Sequence, residues 1–532
     1  MISRREFIKT SFELGACISL SPMFLLPQQK KQAKPPNIVL IMADDMGFSD
    51  LGCYGSEINT PNIDRLANEG MRFTQFYNCA RCCPTRASLL TGLYPHRAGV
   101  GLMINRRGVQ RPPAYQGFLN KRCLTIAEAV KEAGYHRLMA GKWHVGVRRP
   151  HWPLDRGFEE YYGLISGASS YFDSSFVEPG TNKKRMMARN NTPIVERGAG
   201  FYMTDAFTDN AIRMIEDYAA KTAPFFLYLA YTAPHWPLHA LPEDIKKYQG
   251  KYTPGWDALR EKRHAQLIES GLVDPKWKLS DRDPRVPAWK EAENKDWEDR
   301  RMAVYAAQID RMDQGVGRIL NVLKQVGVEQ NTLVIFLSDN GGCAEILRGN
   351  DPNIMPGSSD SYMSYGIGWA NVSNSPFRRY KKWVYEGGIA TPLIARWPGK
   401  ITAGSVTQQV GHVIDLMPTL LEITGVKYPD RELLPLDGKS LLPVFLGKTR
   451  EAHETLYWEH LGNQAIRQGN WKLVLDHELN EWELYNLEED RTETHNVVRD
   501  YPQKAKEMSE MWLEWAKEVR VWPKKYKKKS VK

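Results

Sequence analysis

The chain has 532 residues, more than one structural domain usually holds, so we expect two structural units. Its 42% hydrophobic residues and 16 tryptophans exclude a disordered protein, and its 7 cysteines are too few for a scaffold built on disulfides. The formal net charge of +10 favours anionic partners such as sulfate or phosphate esters and acidic glycans. Nucleic acid is not an expected partner, because the sequence has no zinc-finger spacing, P-loop or aromatic–basic repeat.

Residues 1–34 have the layout of an export signal followed by a linker. Two arginines precede a moderately apolar stretch, and "SRREFIK" resembles the twin-arginine signal, whose cargo crosses the membrane already folded. We therefore expect the twin-arginine export machinery as a partner and the bacterial periplasm as the location. An extracellular or lipid-anchored protein is the alternative, since "LGAC" ending at Cys17 has the form of a lipoprotein cleavage box. The lysine-rich end, residues 522–532, is predicted to be a solvated tail.

Four continuous apolar runs are typical of parallel strands that are covered on both faces. Amphipathic, helix-like segments separate these runs, and this alternation predicts an α/β fold with a mostly parallel, doubly wound sheet. Each run ends in polar residues, which we expect to meet at the carboxyl edge of the sheet and to form one active site. These endings are Asp44 and Asp45 after "NIVLIMA", Lys142 and His144 after "YHRLMAG", His235 after "FFLYLAYTAP", and Asp339 and Asn340 after "TLVIFLS".

The pattern changes toward the end of the chain. Short strand-like pieces, from "TLYWEH" to "WELYNLEED", follow one another closely and precede a helical stretch, "PQKAKEMSEMWLEWAKEV". We therefore expect a small C-terminal α+β domain with an antiparallel sheet. The predicted boundaries are 1–34 for the signal and linker, 35–445 for the large catalytic domain, and 446–532 for the C-terminal subdomain with its basic tail. The charged stretch 240–300 is an insertion to which the sequence assigns no fold.

Three cysteines in "NCARCCPTRASLLTG" raise three alternatives: a disulfide knot, a zinc site, or one reactive residue. No histidine or second cysteine pair stands at zinc-ligand spacing from them. Pro84 suits the first position of a helix, so Cys82 is expected just before the helix start, where unpaired N–H groups hold anions and activate a nucleophile. Arg86 is placed to turn back toward the same anion. We therefore interpret Cys82 as the reactive residue and Cys79 and Cys83 as small buried side chains.

The segment "CCPTRASLLTG" resembles the C-x-P-x-R-x-x-x-x-T-G signature of the formylglycine-dependent sulfatases, which are relatives of alkaline phosphatase. The resemblance continues in order over residues 36–400, and the chain looks most like bacterial arylsulfatases. Thr85 stands where the family often has serine, which leaves the key cysteine, proline and arginine unchanged. Further segments that carry the resemblance are "PNIVLIMADDMGFSDLGCYG", "TPNIDRLANEGMRFTQFY", "AGKWHVG", "APHWP", "FLSDNGG" and "EGGIATPLIARWPG".

The resemblance implies that a formylglycine-generating maturation enzyme oxidises Cys82 to formylglycine (3-oxoalanine). The hydrated aldehyde supplies an oxygen that attacks sulfur and later releases sulfate, which a plain thiol or serine would keep as an ester. The resemblance also implies one divalent cation bound by oxygen ligands, for which Ca²⁺ is expected and Mg²⁺ is the less favoured alternative. The implied metal ligands are Asp44, Asp45, Asp339, Asn340 and the modified Cys82.

The same resemblance implies roles for the remaining site residues. Arg86 and Lys142 hold oxygens of the nucleophile and of the sulfate, and His144 acts as the base in sulfate release. His235, Lys381 and Lys142 bind the substrate. His235 and Lys381 also stabilise or protonate the leaving oxygen, and Lys142 binds the sulfate. Lys381 is chosen among the lysines of "RRYKKWVY" by its offset from "EGG". His96 is expected to be structural, and His239 is a candidate for lining the substrate pocket.

The sequence therefore predicts a sulfuric ester hydrolase of arylsulfatase type, which cleaves a sulfate monoester to an alcohol or phenol plus inorganic sulfate. The natural substrate is left open, and a sulfated carbohydrate suits the basic, aromatic-rich chain as well as an aryl sulfate does. One alternative is a phosphodiester or phosphonate monoester hydrolase of the same superfamily, since sulfate and phosphate esters are both tetrahedral anions. A further alternative is a non-catalytic protein that binds sulfated glycans.

Overall fold

The computed structural model describes residues 34–104, 108–182, 184–429 and 432–521. The predicted export signal, Cys17 and the lysine-rich tail lie outside the described residues. The strands are β1 (Asn37–Asp44), β2 (Met71–Phe73), β3 (Phe76–Tyr77), β4 (His136–Gly141), β5 (Glu160–Leu164), β6 (Met187–Arg189), β7 (Thr192–Ile194), β8 (Phe225–Pro234), β9 (Thr332–Ser338), β10 (Leu393–Arg396), β11 (Ser405–Thr407), β12 (Gly411–His412), β13 (Thr455–His460), β14 (Asn463–Gln468), β15 (Trp471–Asp476) and β16 (Glu481–Asn486).

Helices cover both faces of the large sheet and one face of the small one. Helices α1, α5 and α8 lie between the strands formed by the four apolar runs, which confirms the prediction that helical segments separate these runs. The helices are α1 (Pro61–Asn68), α2 (Cys82–Thr91), α3 (Pro95–Ala98), α4 (Ile126–Val130), α5 (Met203–Ala219), α6 (Pro242–Lys246), α7 (Gly255–Glu269), α8 (Lys295–Gln325), α9 (Gly366–Ser373), α10 (Glu386–Ile389), α11 (Leu416–Thr424), α12 (Leu442–Phe445) and α13 (Pro502–Glu518).

The large sheet has ten strands in the order β11-β2-β10-β9-β1-β8-β4-β5-β6-β7. Its centre, from β9 through β1 and β8 to β4 and β5, is parallel, as the sequence predicts. Antiparallel strands occur at the flanks, where β10 runs antiparallel to both β9 and β2, and β6 and β7 form an antiparallel ribbon beside β5, so the prediction of a mostly parallel sheet is confirmed. The four apolar runs with polar endings are the four adjacent central strands β9, β1, β8 and β4.

The alternation of side chains along β1 shows why this strand is apolar throughout. Val39, Ile41 and Ala43 belong to one hydrophobic core, whereas Ile38 and Leu40 belong to the other. Each side chain is fully buried, and burial of one such aliphatic group stabilises a fold by about 1.5–3 kcal/mol relative to exposure. A central strand with helices on both faces is therefore apolar on both sides, and polar residues appear only at its carboxyl end.

The four C-terminal strands β13 to β16 form an antiparallel sheet of consecutive neighbours, with α13 following them, which confirms the predicted α+β pattern. Leu456 and Trp458 of β13 belong to the same hydrophobic core as one face of the large sheet. The described residues from Pro35 onward group into one compact unit, and the boundary between residues 445 and 446 stays a prediction. The insertion 240–300 contains α6, α7 and the start of α8.

No helix in the described stretches of the chain combines the length and the apolar character that a bilayer-spanning segment requires.

A buried ion cluster joins the small sheet to the large domain. Lys472 of β15 is fully buried, and its Nζ lies 2.8 Å from Oε1 of Glu386 and 2.8 Å from Oε1 of Glu493. Glu386 also accepts from the Arg491 guanidinium at 2.9 Å. Removal of one partner from such a cluster leaves an uncompensated buried charge.

We expect Lys472→Ala to lower the free energy of unfolding by about 3–5 kcal/mol, because two carboxylates would lose their shared cation inside the protein. Denaturant unfolding followed by tryptophan fluorescence measures this change. Lys506→Ala is the control, since Lys506 is an exposed lysine of α13 whose Nζ lies 4.0 Å from Glu510. Equal stability of the two variants would show that the cluster does not hold the small sheet in place.

Candidate active site

The polar endings of the four central strands meet at one edge of the sheet, as the sequence predicts. Asp44 is the last residue of β1, and the other endings directly follow β4, β8 and β9. Because these strands are parallel neighbours, their carboxyl ends lie side by side. All the predicted residues at this edge are between 0% and 5% exposed: Asp44, Asp45, Lys142, His144, His235, Asp339 and Asn340.

Helix α2 brings Cys82 and Arg86 to the same edge. The helix begins at Cys82, with Arg81 as its N-cap, so the prediction that Pro84 starts the helix is wrong by two residues. The reason is that the first four N–H groups of a helix have no partner within it, so proline is tolerated at the third position as well as at the first. Gly92 ends the helix in a left-handed conformation at φ 69°.

The helix start therefore presents the Cys82 side chain beside unpaired backbone N–H groups. A hydrogen bond from Cys83 and the charge of Lys142 lower the pKa of Cys82 well below its usual value. One nitrogen of His144 and the sulfur atoms of Cys82 and Cys83 all lie within 4.8 Å of one another. All six cysteines among the described residues are free, which leaves no disulfide knot in the described chain.

Arg86 anchors α2 to two strand ends. Its Nη2 and Nε donate to Oδ2 of Asp339 at 2.7 Å and 3.0 Å, and its Nη1 donates to the backbone oxygen of Lys142 at 3.0 Å. The guanidinium is fully buried, so each of these contacts forms in a region of low dielectric. The Lys142 ammonium in turn donates to Oδ2 of Asp44 at 2.5 Å. The arrangement fixes the position of Cys82 relative to the ends of β1, β4 and β9.

Lys381 lies in the segment between α9 and α10 and completes the site from the other side. Its Nζ donates to the Asp45 carboxylate at 2.7 Å and lies 3.2 Å from Nε2 of His235. The same His235 nitrogen is 3.3 Å from Oδ2 of Asp45. Burial lowers the pKa of His235 to about 3, whereas Asp45 raises that of Lys381 against the effect of burial. Lys381 is therefore the protonated member of the pair and His235 the neutral one.

The oxygen atoms at this edge fit a hard divalent cation. Oδ1 of Asp44 and Oδ1 of Asn340 are buried without a hydrogen-bond partner among the described residues. Burial and the nearby Asp339 carboxylate raise the pKa of Asp44 well above its usual value, as expected where carboxylates lie close together. Asp44, Asp45 and His235 each offer one ligand atom within 4.8 Å of the others. An oxygen-rich set of this kind suits Ca²⁺ or Mg²⁺.

Several residues around the site have a strained backbone conformation. Non-glycine residues with positive φ cost of order 1–3 kcal/mol each and persist only where their surroundings hold them. Four such residues surround the site. One of them, Asp45, is held in place by Asn340, whose Nδ2 donates to Oδ1 of Asp45 at 2.7 Å. They are Asp45 at φ 67°, Ala80 at φ 59°, His144 at φ 61° and Lys382 at φ 86°.

His144 is a neutral imidazole in a confined position. Burial lowers its pKa to about 3, and its Nδ1 has no hydrogen-bond partner among the described residues. Gly167 lies against the ring, and a Cβ at this position would come within 2.3 Å of Nε2 of His144. The absence of a side chain at Gly167 therefore leaves room for the imidazole.

We expect Gly167→Ala to lower kcat by about 10²-fold and also to lower the melting temperature, because a methyl group would push the His144 ring out of place within a buried site. Steady-state kinetics and thermal unfolding measure the two effects. Gly425→Ala is the contrast, because this helix-end glycine has φ 73° and open space around it, so its substitution should reduce stability and leave kcat unchanged. A normal kcat for Gly167→Ala would contradict the proposed importance of the His144 position.

The structure also separates site residues from structural ones. Cys79 and Cys83 are buried, as predicted, and so is His96, whose Nε2 lies 2.8 Å from Oε2 of Glu459. His239 is fully buried, and its Nε2 lies 2.6 Å from the backbone oxygen of Ser361. The suggestion that His239 lines a substrate pocket is therefore wrong, because its ring nitrogens are engaged inside the protein.

Sequence reasoning did not identify three residues at this site. Trp236 stands inside the "APHWP" segment, and its position next to His235 is a signal that could have indicated it. Gly167 and Glu345 lie in loops without periodicity, so the sequence carries no signal for them. Oε1 of Glu345 accepts from Arg81 at 3.1 Å, and Oε2 accepts from the Trp236 indole at 3.0 Å.

Comparison with known proteins gives full-length similarities. A family model for sulfatases matches residues 36–426, and a second, for the C-terminal part of N-sulphoglucosamine sulphohydrolase, matches residues 377–520. An arylsulfatase of Klebsiella aerogenes is 34% identical over 449 residues, covering 80% of this chain and 95% of the relative. An N-acetylgalactosamine-6-sulfatase of Mus musculus is 31% identical over 473 residues, covering 87% of this chain and 76% of the relative.

Among solved structures, the crystal structure of Ps i-CgsB in complex with k-i-k-neocarrahexaose superposes with a TM-score of 0.69 at 28% identity. The superposition covers 91% of this chain and 93% of that chain.

Proposed function

This chain belongs to the sulfatase family and hydrolyses sulfate esters, and we propose that it does so with a formylglycine made from Cys82 and a bound divalent cation. The observation that carries the proposal is the convergence of Cys82, at the start of α2, with the carboxylates that end β1 and follow β9. Family membership favours this reaction over the phosphoester hydrolase and the non-catalytic glycan binder that the sequence left open.

The proposed cation is Ca²⁺, held by Asp44, Asp45, Asp339 and Asn340 together with the modified Cys82. When bound, it supplies the positive charge that polarises the sulfate and favours an ionised nucleophile. Support for this assignment is the pair of buried oxygens without hydrogen-bond partners, on Asp44 and Asn340.

A formylglycine at position 82, made from Cys82 by a maturation enzyme, would supply the oxygen nucleophile of the reaction. The residues around it position that oxygen and the substrate. Lys142 and Arg86 bring positive charge to the nucleophile and the sulfate, and both are held by strand-end carboxylates at 2.5–3.0 Å. His144 lies beside Cys82 as a neutral imidazole, and we assign it as the base that accepts a proton when sulfate is released.

The leaving oxygen is assigned to the His235–Lys381 pair. Lys381 is protonated because Asp45 raises its pKa against the effect of burial, so its ammonium can donate a hydrogen bond to the oxygen as the bond of that oxygen to sulfur breaks. His235 lies 3.2 Å away and fixes the direction of the ammonium group. Donors placed where negative charge develops stabilise the transition state more than the ground state.

The natural substrate that we propose is a sulfated carbohydrate. One relative is named for the sugar N-acetylgalactosamine, and one structural neighbour was solved with a carrageenan-type oligosaccharide. The net charge of +10 supports an anionic glycan as the partner. Export through the twin-arginine machinery to the periplasm, proposed from the first residues alone, would place the enzyme where it meets such glycans.

The reaction is tested with 4-nitrophenyl sulfate and 4-nitrophenyl phosphate, two esters with the same leaving group. We expect protein produced together with a maturation enzyme, with Ca²⁺ present, to release 4-nitrophenol from the sulfate ester at a much higher kcat/KM. Protein produced without the maturation enzyme is the control and should be inactive. Preference for the phosphate ester, or equal activity without maturation, would contradict the proposal.

A further inference from the structure

One carboxylate ties together three segments at the mouth of the site. Oε1 of Glu345 accepts from Nη1 of Arg81 at 3.1 Å and lies 2.7 Å from Nζ of Lys382. Oε2 accepts from the Trp236 indole N–H at 3.0 Å. Glu345 is 19% exposed at its side chain, so these contacts are partly shielded from water and are stronger than surface ion pairs.

Each partner of Glu345 is the chain neighbour of a proposed site residue. The carboxylate therefore fixes the relative positions of the nucleophile segment, the lysine segment and the histidine segment, while the two cations neutralise its charge. A free carboxylate here would repel a sulfate ester, whereas this one is neutralised. The pairs are Arg81 beside Cys82, Lys382 beside Lys381, and Trp236 beside His235.

The Trp236 indole lies next to the group that faces the leaving oxygen. Its ring centroid is 4.5 Å from that of His235, and the residue is partly exposed. The Trp236 ring also meets the ring of Tyr362 edge-on, with 5.9 Å between their centroids, and Tyr362 stacks on Phe176 at 5.5 Å. Trp236, Tyr362 and Phe176 thus form a continuous aromatic wall at one side of the site. The indole N–H is directed to Glu345, which holds the ring in one orientation.

We propose that the aromatic wall binds the ring that carries the sulfate, a pyranose or an arene, and that Glu345 is the positioning residue of this leaving-group subsite. The inference rests on the proposed role of His235 and Lys381 at the leaving oxygen, because that role brings the ring of the substrate against Trp236. Both kinds of ring present an apolar face, and aromatic side chains bind such faces by stacking.

The test measures binding without turnover, so it does not depend on hydrolysis. In the Cys82→Ala background, calorimetry compares the Kd of 4-nitrophenyl sulfate with that of methyl sulfate, an ester of similar charge without a ring. We expect Trp236→Ala to raise the Kd of 4-nitrophenyl sulfate by about 10- to 100-fold and to leave that of methyl sulfate within about 2-fold. Trp236→Phe, which keeps an aromatic face, should restore most of the difference.

Glu345 is tested in the same background by a conservative pair. Glu345→Ala should weaken the binding of 4-nitrophenyl sulfate as Trp236→Ala does. Glu345→Gln, whose amide oxygen still accepts the indole N–H, should recover most of the affinity. Glu345→Ala added to Trp236→Ala should cause little further loss of ring preference, because both act through one side chain. Trp277→Ala is the matched control, since the Trp277 indole donates to the backbone oxygen of Glu488 away from the site.

If Trp236→Ala raised the Kd of both esters equally, the proposal would be overturned. Trp236 would then support the sulfate-binding residues and not the ring of the substrate. An unchanged Kd for both esters would overturn the proposal as well. Failure of the proposed reaction is separate, because it would appear as absent sulfate release by the matured wild-type enzyme while the ring preference in binding persists.

Discussion

Replacing Cys82 by alanine is expected to lower kcat for 4-nitrophenyl sulfate by roughly 10⁴-fold or more, with no loss of the folded structure. The variant lacks the side chain from which the proposed nucleophile is made. Alanine suits the start of α2, and the ion pairs of Arg86 with Asp339 and of Lys142 with Asp44 do not involve the replaced side chain. Release of 4-nitrophenol measures the activity, and thermal unfolding measures the fold.

Cys82→Ser separates the chemistry from mere occupancy of the position. A serine hydroxyl that attacked sulfur would form a sulfate ester that it cannot easily shed, so we expect at most one 4-nitrophenol per chain and no steady turnover. Cys79→Ala is the control within the same loop, because Cys79 is a buried residue whose sulfur contacts Ser88. Steady turnover by either Cys82 variant, with the control active, would contradict the proposed nucleophile.

Much of the site could be predicted because the physics of a parallel sheet concentrates polar residues at one edge. A strand such as β1 is apolar on both faces, so Asp44 and Asp45 stand out at its end, and Asp339 does the same after β9. The sheet order then makes these ends neighbours. The position of Lys381 has no such origin, since it lies in a loop, and it was assigned from the resemblance to the family alone.

Other features depend on contacts that no local pattern encodes. The antiparallel direction of β10 follows from how a long connection returns to the sheet, and three apolar residues followed by Arg396 cannot specify a direction. The contacts of Glu345 with Arg81 and Trp236 join residues separated by 264 and 109 positions. Gly167 is important only because the His144 ring lies against it, which is a fact of tertiary packing. Sequence patterns therefore locate the chemistry better than they locate its supports.

The site needs a cation for the reaction but not for folding, because its charges are already balanced without one. Three carboxylates, on Asp44, Asp45 and Asp339, are paired with three cationic side chains, Lys142, Lys381 and Arg86, respectively. The buried cluster is thus close to neutral before any ligand binds, which limits the cost of burial. A divalent cation would add positive charge that an ionised nucleophile and a singly charged sulfate ester then balance.

Asp44→Asn is expected to abolish the binding of Ca²⁺ and to lower kcat/KM by roughly 10²–10⁴-fold, since a cation of this kind supplies several kcal/mol of stabilisation to the transition state. The substitution also removes the carboxylate that pairs with the buried Lys142 ammonium, which leaves that charge without its partner. We therefore expect the metal-free variant to melt below the temperature of the metal-free wild type. Added Ca²⁺ should raise the melting temperature of the wild type alone.

The matched control for this experiment is Asp313→Asn. Asp313 is also a buried carboxylate, and it accepts from the backbone N–H groups of Asn62 and Ile63 at the start of α1. Burial raises its pKa to about 6, so an amide is tolerated there, and the variant should keep both Ca²⁺ binding and activity. Calorimetric titration with Ca²⁺ and with Mg²⁺ identifies the ion. Because Asp44 contributes an oxygen without another partner, a Ca²⁺-induced rise in the melting temperature of Asp44→Asn equal to that of the wild type would place the cation elsewhere.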